Sequence, residues 1–161
     1  MKQQMGEVHV TVDLWNSADP ARRTQVTALV DTGAMVNCLP EPVVRELHLE
    51  MIGTMSVQYA DGRVERRSVY GPITLQLNEG IMVTDAVATP AGTDVLLSVV
   101  TLERLDLLVD PVEQRVKPRH PQYPGGLLGV RGVFEDDRRP HKTLGLSAEV
   151  LMRPSRARKA A

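Results

Sequence analysis

The sequence predicts an all-β domain that also contains two short helices. Three observations support this class: apolar and polar residues alternate through most of residues 1–118, two short helical patterns interrupt the alternation, and an Asp-Gly turn separates two alternating segments. Aromatic residues make up only 3% of the 161 residues, so the core must be built from Val, Leu, Ile, Met and Ala. Many short strands with few helices are typical of a partly closed β domain.

Strands are predicted wherever apolar side chains recur at every second position. They cover residues 8–14, 24–30, 55–59, 64–70, 73–77, 81–88 and 107–110. Asp61-Gly62 lies between the third and fourth of these strands, and both residues tolerate positive φ, so a hairpin turn is expected there. Helices are predicted at residues 41–47, where Pro42 suits the first turn, and at residues 99–105.

Charge and composition divide the chain near residue 118. Residues 1–118 carry 10 Lys+Arg and 16 Asp+Glu, whereas residues 119–161 carry 9 and 4 and are rich in Pro and Gly. We therefore expect a globular domain at 1–118 and an irregular basic tail at 119–161, with one short helix around residues 148–152. A few cations without aromatic residues are typical of a solvated tail rather than of a nucleic-acid surface.

The composition also argues against several kinds of partner. A formal net charge of −1 gives no general attraction to nucleic acid or to an anionic membrane. No apolar stretch approaches the ~18 residues of a membrane span, and the first residues lack a signal-peptide core. The single cysteine, Cys38, excludes an internal disulfide and is expected to be a small buried hydrophobe. We expect a cytoplasmic protein without a metal, a membrane partner or a nucleic-acid partner.

The most informative segment is an apolar strand that leads directly into Asp31, Thr32 and Gly33. A carboxylate at the end of a buried strand is unfavourable unless another group receives its charge or its proton. Thr32 offers a hydroxyl for hydrogen bonding, and Gly33 allows close backbone approach. Because Asp, Thr and Gly are also common turn residues, a plain strand-to-turn transition is the alternative reading of this motif alone.

Two segments in the same order resemble the landmarks of retropepsin-like aspartic proteases, in particular the bacterial members with a single lobe. The first is Asp-Thr-Gly-Ala at residues 31–34, followed by Leu39-Pro40 and a short helix. The second is Leu96, Leu97 and Ser98, followed by a helix and by residues 105–111. The resemblance covers about residues 7–118 and does not extend to the tail.

The resemblance implies a closed β-barrel lobe, a flap hairpin over the active site, and a homodimer in which each chain supplies one catalytic aspartate. On this mapping Asp31 is the catalytic residue and acts without a cofactor on an extended peptide or protein. The remaining site residues are those of the active-site loop, Thr32, Gly33 and Ala34, and those of the flap, Tyr59, Ala60, Asp61 and Gly62.

Ser98 departs from the family pattern, which has glycine at this position of the second landmark segment. The added Cβ and hydroxyl are expected either to be absorbed or to cost roughly 1–3 kcal/mol of strain beneath the active-site loop. The sequence also contains a single Asp-Thr-Gly motif. Because hydrolysis by an activated water needs one carboxylate as base and a second, protonated carboxyl as acid, an active enzyme requires two copies of the chain.

The predicted function is therefore an aspartic-type endopeptidase whose Asp dyad forms across a homodimer. One alternative, which Ser98 favours, is a catalytically silent retropepsin-like β-domain that serves as a dimerisation or peptide-binding module. Another is a processed precursor whose tail regulates assembly.

Overall fold

The computed structural model describes residues 6–129, and this part of the chain forms nine strands and two short helices. The all-β class predicted from the sequence is therefore confirmed. The helices are α1 (Glu41–Glu46) and α2 (Val99–Arg104). The strands are β1 (His9–Asn16), β2 (Asp19–Asp31), β3 (Cys38–Pro40), β4 (Glu50–Gln58), β5 (Val64–Leu77), β6 (Gly80–Thr89), β7 (Val95–Ser98), β8 (Leu107–Asp110) and β9 (Arg115–Pro118).

Seven strands form one sheet in the order β1-β2-β7-β3-β6-β5-β4, and β8 pairs with β9 in a second sheet. Strand β1 also pairs with β5 in antiparallel orientation, so the sheet closes back on its first strand. However, β3 is only three residues long and pairs with β7 solely through Cys38 and Leu96. The lobe is thus partly closed and not a strict barrel, which corrects the expectation of a closed one.

The core lies where the alternation of each strand turns its apolar residues inward. On β1, Val10, Val12 and Leu14 are buried while the residues between them face outward. Helix α1 adds Val44, and its Pro42 occupies the first turn as predicted. The largest fully buried apolar side chains come from six positions spread over β1, β5, β7 and the end of α1, namely Val12, Leu14, Leu47, Ile73, Leu75 and Leu97.

Strand β5 is one long strand, although the sequence predicts two strands separated by Gly71-Pro72. The chain continues through this dipeptide with a shift of register between Tyr70 and Ile73. Proline lacks the amide hydrogen that a regular ladder requires, and an irregular position in the ladder accommodates it. The prediction of a break at Pro72 is therefore wrong.

The outer face of β1 carries Trp15, the only tryptophan of the sequence. Arg23 of β2 lies opposite Trp15, and its guanidinium carbon is 4.2 Å from the centre of the indole ring. Thr74 of β5 lies opposite Trp15 on the other side of β1. Trp15 therefore marks the strand junction where β1 meets β5.

The first compact unit of the chain extends to Leu128, beyond the boundary predicted near residue 118. Residues 119–129 contain no helix or strand. They are nevertheless attached to the lobe, because the Asp106 carbonyl accepts a hydrogen bond from the Arg119 amide at 2.8 Å and the Asp106 carboxylate binds residues further along. The helix expected around residues 148–152, and the rest of the tail from residue 130, lie outside the described residues.

Candidate active site

Asp31 is the last residue of β2, and Ser98 is the last residue of β7. The two strands pair in parallel, so that Ala28 lies opposite Val95 and Asp31 lies opposite Ser98. The two landmark segments that the sequence singled out are therefore direct neighbours in the sheet, although they are far apart along the chain.

The active-site loop folds back on Asp31 immediately after β2. The Gly33 amide donates to Asp31 Oδ1 at 2.9 Å, and the Ala34 amide donates to the Asp31 carbonyl oxygen at 3.1 Å. The Val99 amide donates to the Ala34 carbonyl oxygen at 2.9 Å, which ties the loop to the start of α2. A Cβ at Gly33 would lie 3.3 Å from Asp31 Oδ1, so the carboxylate would have to shift by a few tenths of an ångström to admit a side chain there.

Ser98 is accommodated without backbone strain. Its φ of −75° and ψ of 159° are extended values that any residue adopts, and its side chain caps α2 by accepting from the Thr101 amide at 3.2 Å. Ser98 is only 1% exposed, and its buried hydroxyl also donates a hydrogen bond to Thr101 Oγ1 at 3.3 Å. The departure from glycine is therefore absorbed without strain in the backbone of Ser98.

Asn37 lies buried at the end of the active-site loop, and the sequence did not single it out. Its Oδ1 accepts from the Ser98 amide at 2.9 Å and from Thr101 Oγ1 at 2.8 Å, and its Nδ2 donates to Thr84 Oγ1 at 3.1 Å. The one feature of the sequence that points to Asn37 is its polar side chain within an otherwise apolar segment, residues 36–39. In the described part of the chain, no buried side-chain nitrogen or oxygen lacks a hydrogen-bond partner.

The predicted flap residues form a tight turn between β4 and β5. The Gly62 amide donates to the Tyr59 carbonyl oxygen at 2.9 Å, and Gly62 has a positive φ of 85°. Asp61 accepts from Arg63 Nε at 2.6 Å and from the Arg63 amide at 3.0 Å, and these bonds hold the pKa of Asp61 below its ordinary value. Tyr59, Ala60, Asp61 and Gly62 thus lie at the tip of a two-stranded hairpin.

Tyr59 also links the tip of the hairpin to Arg67 within β5. Its hydroxyl accepts from Arg67 Nε at 2.9 Å, and Arg67 Nη2 lies 2.7 Å from Glu65 Oε2. Met55 lies opposite Arg67 across the hairpin and Val57 lies opposite Glu65, so these four side chains share one face. This face of the hairpin combines apolar side chains with one braced ion pair.

A cleft of about 800 Å³ separates the active-site loop from the hairpin. It brings together Asp31, the predicted flap residues and Leu96 of the second landmark segment. The lining residues are Asp31, Gly33, Ala34, Met35, Val36, Cys38, Met55, Ser56, Val57, Gln58, Tyr59, Ala60, Gly62 and Leu96. Four other predicted site residues are neighbours of the lining residues along the chain but do not line the cleft themselves, namely Thr32, Asp61, Leu97 and Ser98.

Cys38 is half-buried in the wall of this cleft, rather than fully buried as expected. Burial, reinforced by the negative charge of Asp31, raises the pKa of the Cys38 thiol, while Arg67 acts in the opposite direction. A thiol with a raised pKa is a poor nucleophile at neutral pH. The Asp31 carboxylate is half-buried and lines the same cleft.

A second cavity, of about 510 Å³, lies beside α1 and is lined by none of the predicted site residues. Among residues 6–129, no group of three His, Cys, Asp or Glu side chains is placed to hold a metal ion. None of the helices in the same range is long and apolar enough to cross a membrane.

Comparison with known proteins agrees with this geometry. The family model described as aspartyl protease matches residues 16–130, a span that contains both landmark segments. Among solved structures, EIAV protease complexed with the inhibitor HBY-793 is similar in fold, with a TM-score of 0.50 and 14% sequence identity over 64% of this chain and 91% of that chain. No match was found among curated proteins. Because the family model spans well over half of the sequence, the chain belongs to the aspartyl protease family, and its fold is that of the retropepsin lobe.

Proposed function

We propose that this protein is an aspartic endopeptidase that works as a homodimer, with Asp31 of each copy forming the catalytic dyad. The observation that carries the proposal is the cleft in which the Asp31 carboxylate faces the flap hairpin across about 800 Å³. A cleft with a carboxylate on one wall and apolar side chains on the other suits an extended peptide.

The chemistry follows from two carboxyl groups that share one proton. Carboxyl groups about 3 Å apart cannot both ionise, as is established for aspartic proteases. The ionised Asp31 takes a proton from water, whose oxygen attacks the peptide carbonyl carbon, while the protonated Asp31 donates its proton to the carbonyl oxygen. The C–N bond then breaks as the amine nitrogen takes the proton that the first carboxyl group gained from water. The second carboxylate, now ionised, takes a proton from a hydroxyl of the tetrahedral intermediate, which gives a carboxylic acid and an amine and restores the dyad with one shared proton.

The homodimer is supported by the sequence and by the surface around Asp31. The chain has one Asp-Thr-Gly motif, so a single copy holds half of the dyad. Thr32 and Gly33 are exposed, and Met35 on the same loop is 70% exposed. A second copy that approaches along this loop covers Met35 and brings the two carboxylates together.

The substrate is proposed to be an extended peptide with apolar side chains near the cleaved bond. Met55, Val57 and Leu96 supply apolar contacts within the cleft. Strand β4 is the last strand of the sheet order and pairs only with β5, so its second edge offers backbone donors and acceptors. Backbone hydrogen bonds along such an edge give affinity, and side-chain pockets give preference.

The test is incubation of the purified full chain with a mixed peptide library, with and without pepstatin. We expect cleavage that pepstatin inhibits and that Asp31→Asn abolishes, because asparagine preserves shape and removes the titrating carboxyl group. Asp19→Asn, the same substitution at the opposite, exposed end of β2, serves as the matched control and should cleave normally. Cleavage that persists in Asp31→Asn would refute the proposal.

We further propose a cytoplasmic location. The only cysteine is a free thiol, as is usual in a reducing compartment. Fractionation of the producing cells with an antibody against the chain tests this, and recovery in a membrane or exported fraction would contradict it.

A further inference from the structure

The active-site loop is held at both of its ends and at its middle. At its start, Asp31 lies opposite Ser98 in the parallel ladder. At its middle, the Ala34 carbonyl accepts from the Val99 amide. At its end lies Asn37, a polar side chain that is only 7% exposed and touches none of the residues of the proposed chemistry directly.

We propose that Asn37 is a positioning residue that fixes the carboxylate of Asp31 through Ser98, an inference that rests on the proposed function. Asn37 Oδ1 accepts from the Ser98 amide at 2.9 Å, and Ser98 is the residue opposite Asp31. The same oxygen accepts from Thr101 Oγ1 at 2.8 Å within α2. The end of the loop is thereby tied to the backbone that flanks its catalytic start.

Asn37 also ties the loop to β6. Its Nδ2 donates to Thr84 Oγ1 at 3.1 Å and to the Asp85 carbonyl oxygen at 3.4 Å, and its own carbonyl accepts from the Val87 amide at 2.9 Å. Three elements, the loop, α2 and β6, therefore meet at one side chain.

An amide is the group that satisfies all these partners together. Two donors face Oδ1 and two acceptors face Nδ2, so a carboxylate at this position would set an oxygen against the Asp85 carbonyl. An apolar side chain would leave the buried Ser98 amide and the Thr101 hydroxyl unpaired. Rates fall by up to about 100-fold when a catalytic group shifts by about 1 Å, so loss of this tie should act on turnover.

The test compares Asn37→Ala with Thr84→Ala, a control that removes one partner of Asn37 on the side away from Asp31. We expect Asn37→Ala to lower kcat at least tenfold while KM stays within threefold, and Thr84→Ala to keep the kcat of the parent protein. A general loss of stability would instead lower the active fraction of both variants in proportion to unfolding, which circular dichroism measures.

Parent-like kcat in a folded Asn37→Ala protein would overturn the inference. If Asn37→Ala does not fold, Thr101→Val decides, because it removes one donor to Oδ1 and keeps the side-chain volume. A threefold or greater loss of kcat in Thr101→Val would support the inference, and an unchanged kcat would overturn it.

If the parent chain cleaves no peptide, the proposed function fails. Hydrogen exchange still tests whether Asn37 holds the active-site loop in place. Faster exchange of the Val99 amide in Thr101→Val than in Thr84→Ala would support a tie between Asn37 and the active-site loop. Equal exchange in the two variants would overturn it.

Discussion

His120 Nδ1 donates to Asp106 Oδ2 at 2.8 Å, and the Leu127 amide donates to the same oxygen at 3.0 Å. Asp106 follows α2 directly, and its side chain is only 3% exposed. Burial by itself would raise the pKa of Asp106. The hydrogen bonds from His120 and Leu127, together with the charges of His120 and Arg119, outweigh burial and hold the pKa of this carboxyl below its ordinary value. The charged carboxylate therefore fastens residues 119–127 to the lobe.

We expect Asp106→Asn to lower the thermal midpoint of unfolding at neutral pH. A carboxyl whose pKa is lower in the folded state contributes stability above its unfolded pKa of about 4, and this contribution is lost as pH falls through the lowered folded pKa. The difference in midpoint between the parent chain and Asp106→Asn should therefore be present at neutral pH and shrink as the pH falls below about 4. Thermal unfolding followed by circular dichroism between pH 3 and pH 7 measures it.

Asp19→Asn is the control for this pH series. Asp19 is exposed and lies 3.6 Å from Arg22, and exposed ion pairs contribute little. Its midpoint should follow that of the parent chain at every pH. A difference for Asp106→Asn that grows as the pH falls below about 4 would contradict the proposed role of the carboxylate.

We expect Gly126→Ala to destabilise the attachment of the same segment by about 1–3 kcal/mol. Gly126 has a φ of +101°, and a Cβ there would lie 2.9 Å from Asp106 Cβ and 3.0 Å from the Leu105 carbonyl oxygen. Gly53→Ala is the matched control, since a Cβ at Gly53 meets no atom within 4 Å. Urea unfolding of both variants gives the comparison, and equal free energies of unfolding would show that residue 126 tolerates a side chain.

Ser98→Ala should lower the free energy of unfolding by about 0.5–2 kcal/mol, because it removes the cap of α2. Ser98→Gly should cost only a few tenths of a kcal/mol at the cap, since glycine is itself an acceptable N-cap residue. Urea unfolding gives the free energies of unfolding of both variants, and their order tests whether Ser98 stabilises the protein as a capping residue. A glycine variant less stable than the alanine variant would argue for a different role.

Specific peptidase activity should rise with protein concentration near the dimer dissociation constant, because each chain supplies one Asp31. Activity measured over a dilution series, together with light scattering, tests this expectation. Specific activity that stays constant in solutions shown to hold monomers would exclude a dyad shared between two copies.

Much of the fold was predictable because its signals are local. The hairpin turn followed from Asp61-Gly62, and β1 followed from four alternating apolar residues. Strands β3, β7 and β9 were missed because three or four residues carry little periodicity. Pro72 was read as a break because a sequence does not reveal that the ladder shifts its register there.

The site was predictable where a motif names its residues and unpredictable where distant residues meet. The Asp-Thr-Gly motif and the turn beside Asp61-Gly62 singled out Asp31 and Tyr59, which the structure places around one cleft. Asn37 could not be assigned, since its partners Thr84 and Ser98 lie 47 and 61 residues away along the chain. The attachment of residues 119–127 likewise depends on the side chain of Asp106, a contact that composition does not predict.

Trp15 lies where β1 pairs with β5, so its fluorescence can report on whether the sheet is closed there. Excitation at the red edge of protein absorption reaches this one indole, so its emission reports on a single place in the molecule. That place lies between Arg23 on one side and Thr74 on the other. Opening of the seam between β1 and β5 would change the surroundings of the indole, so the fluorescence of Trp15 would report on that opening.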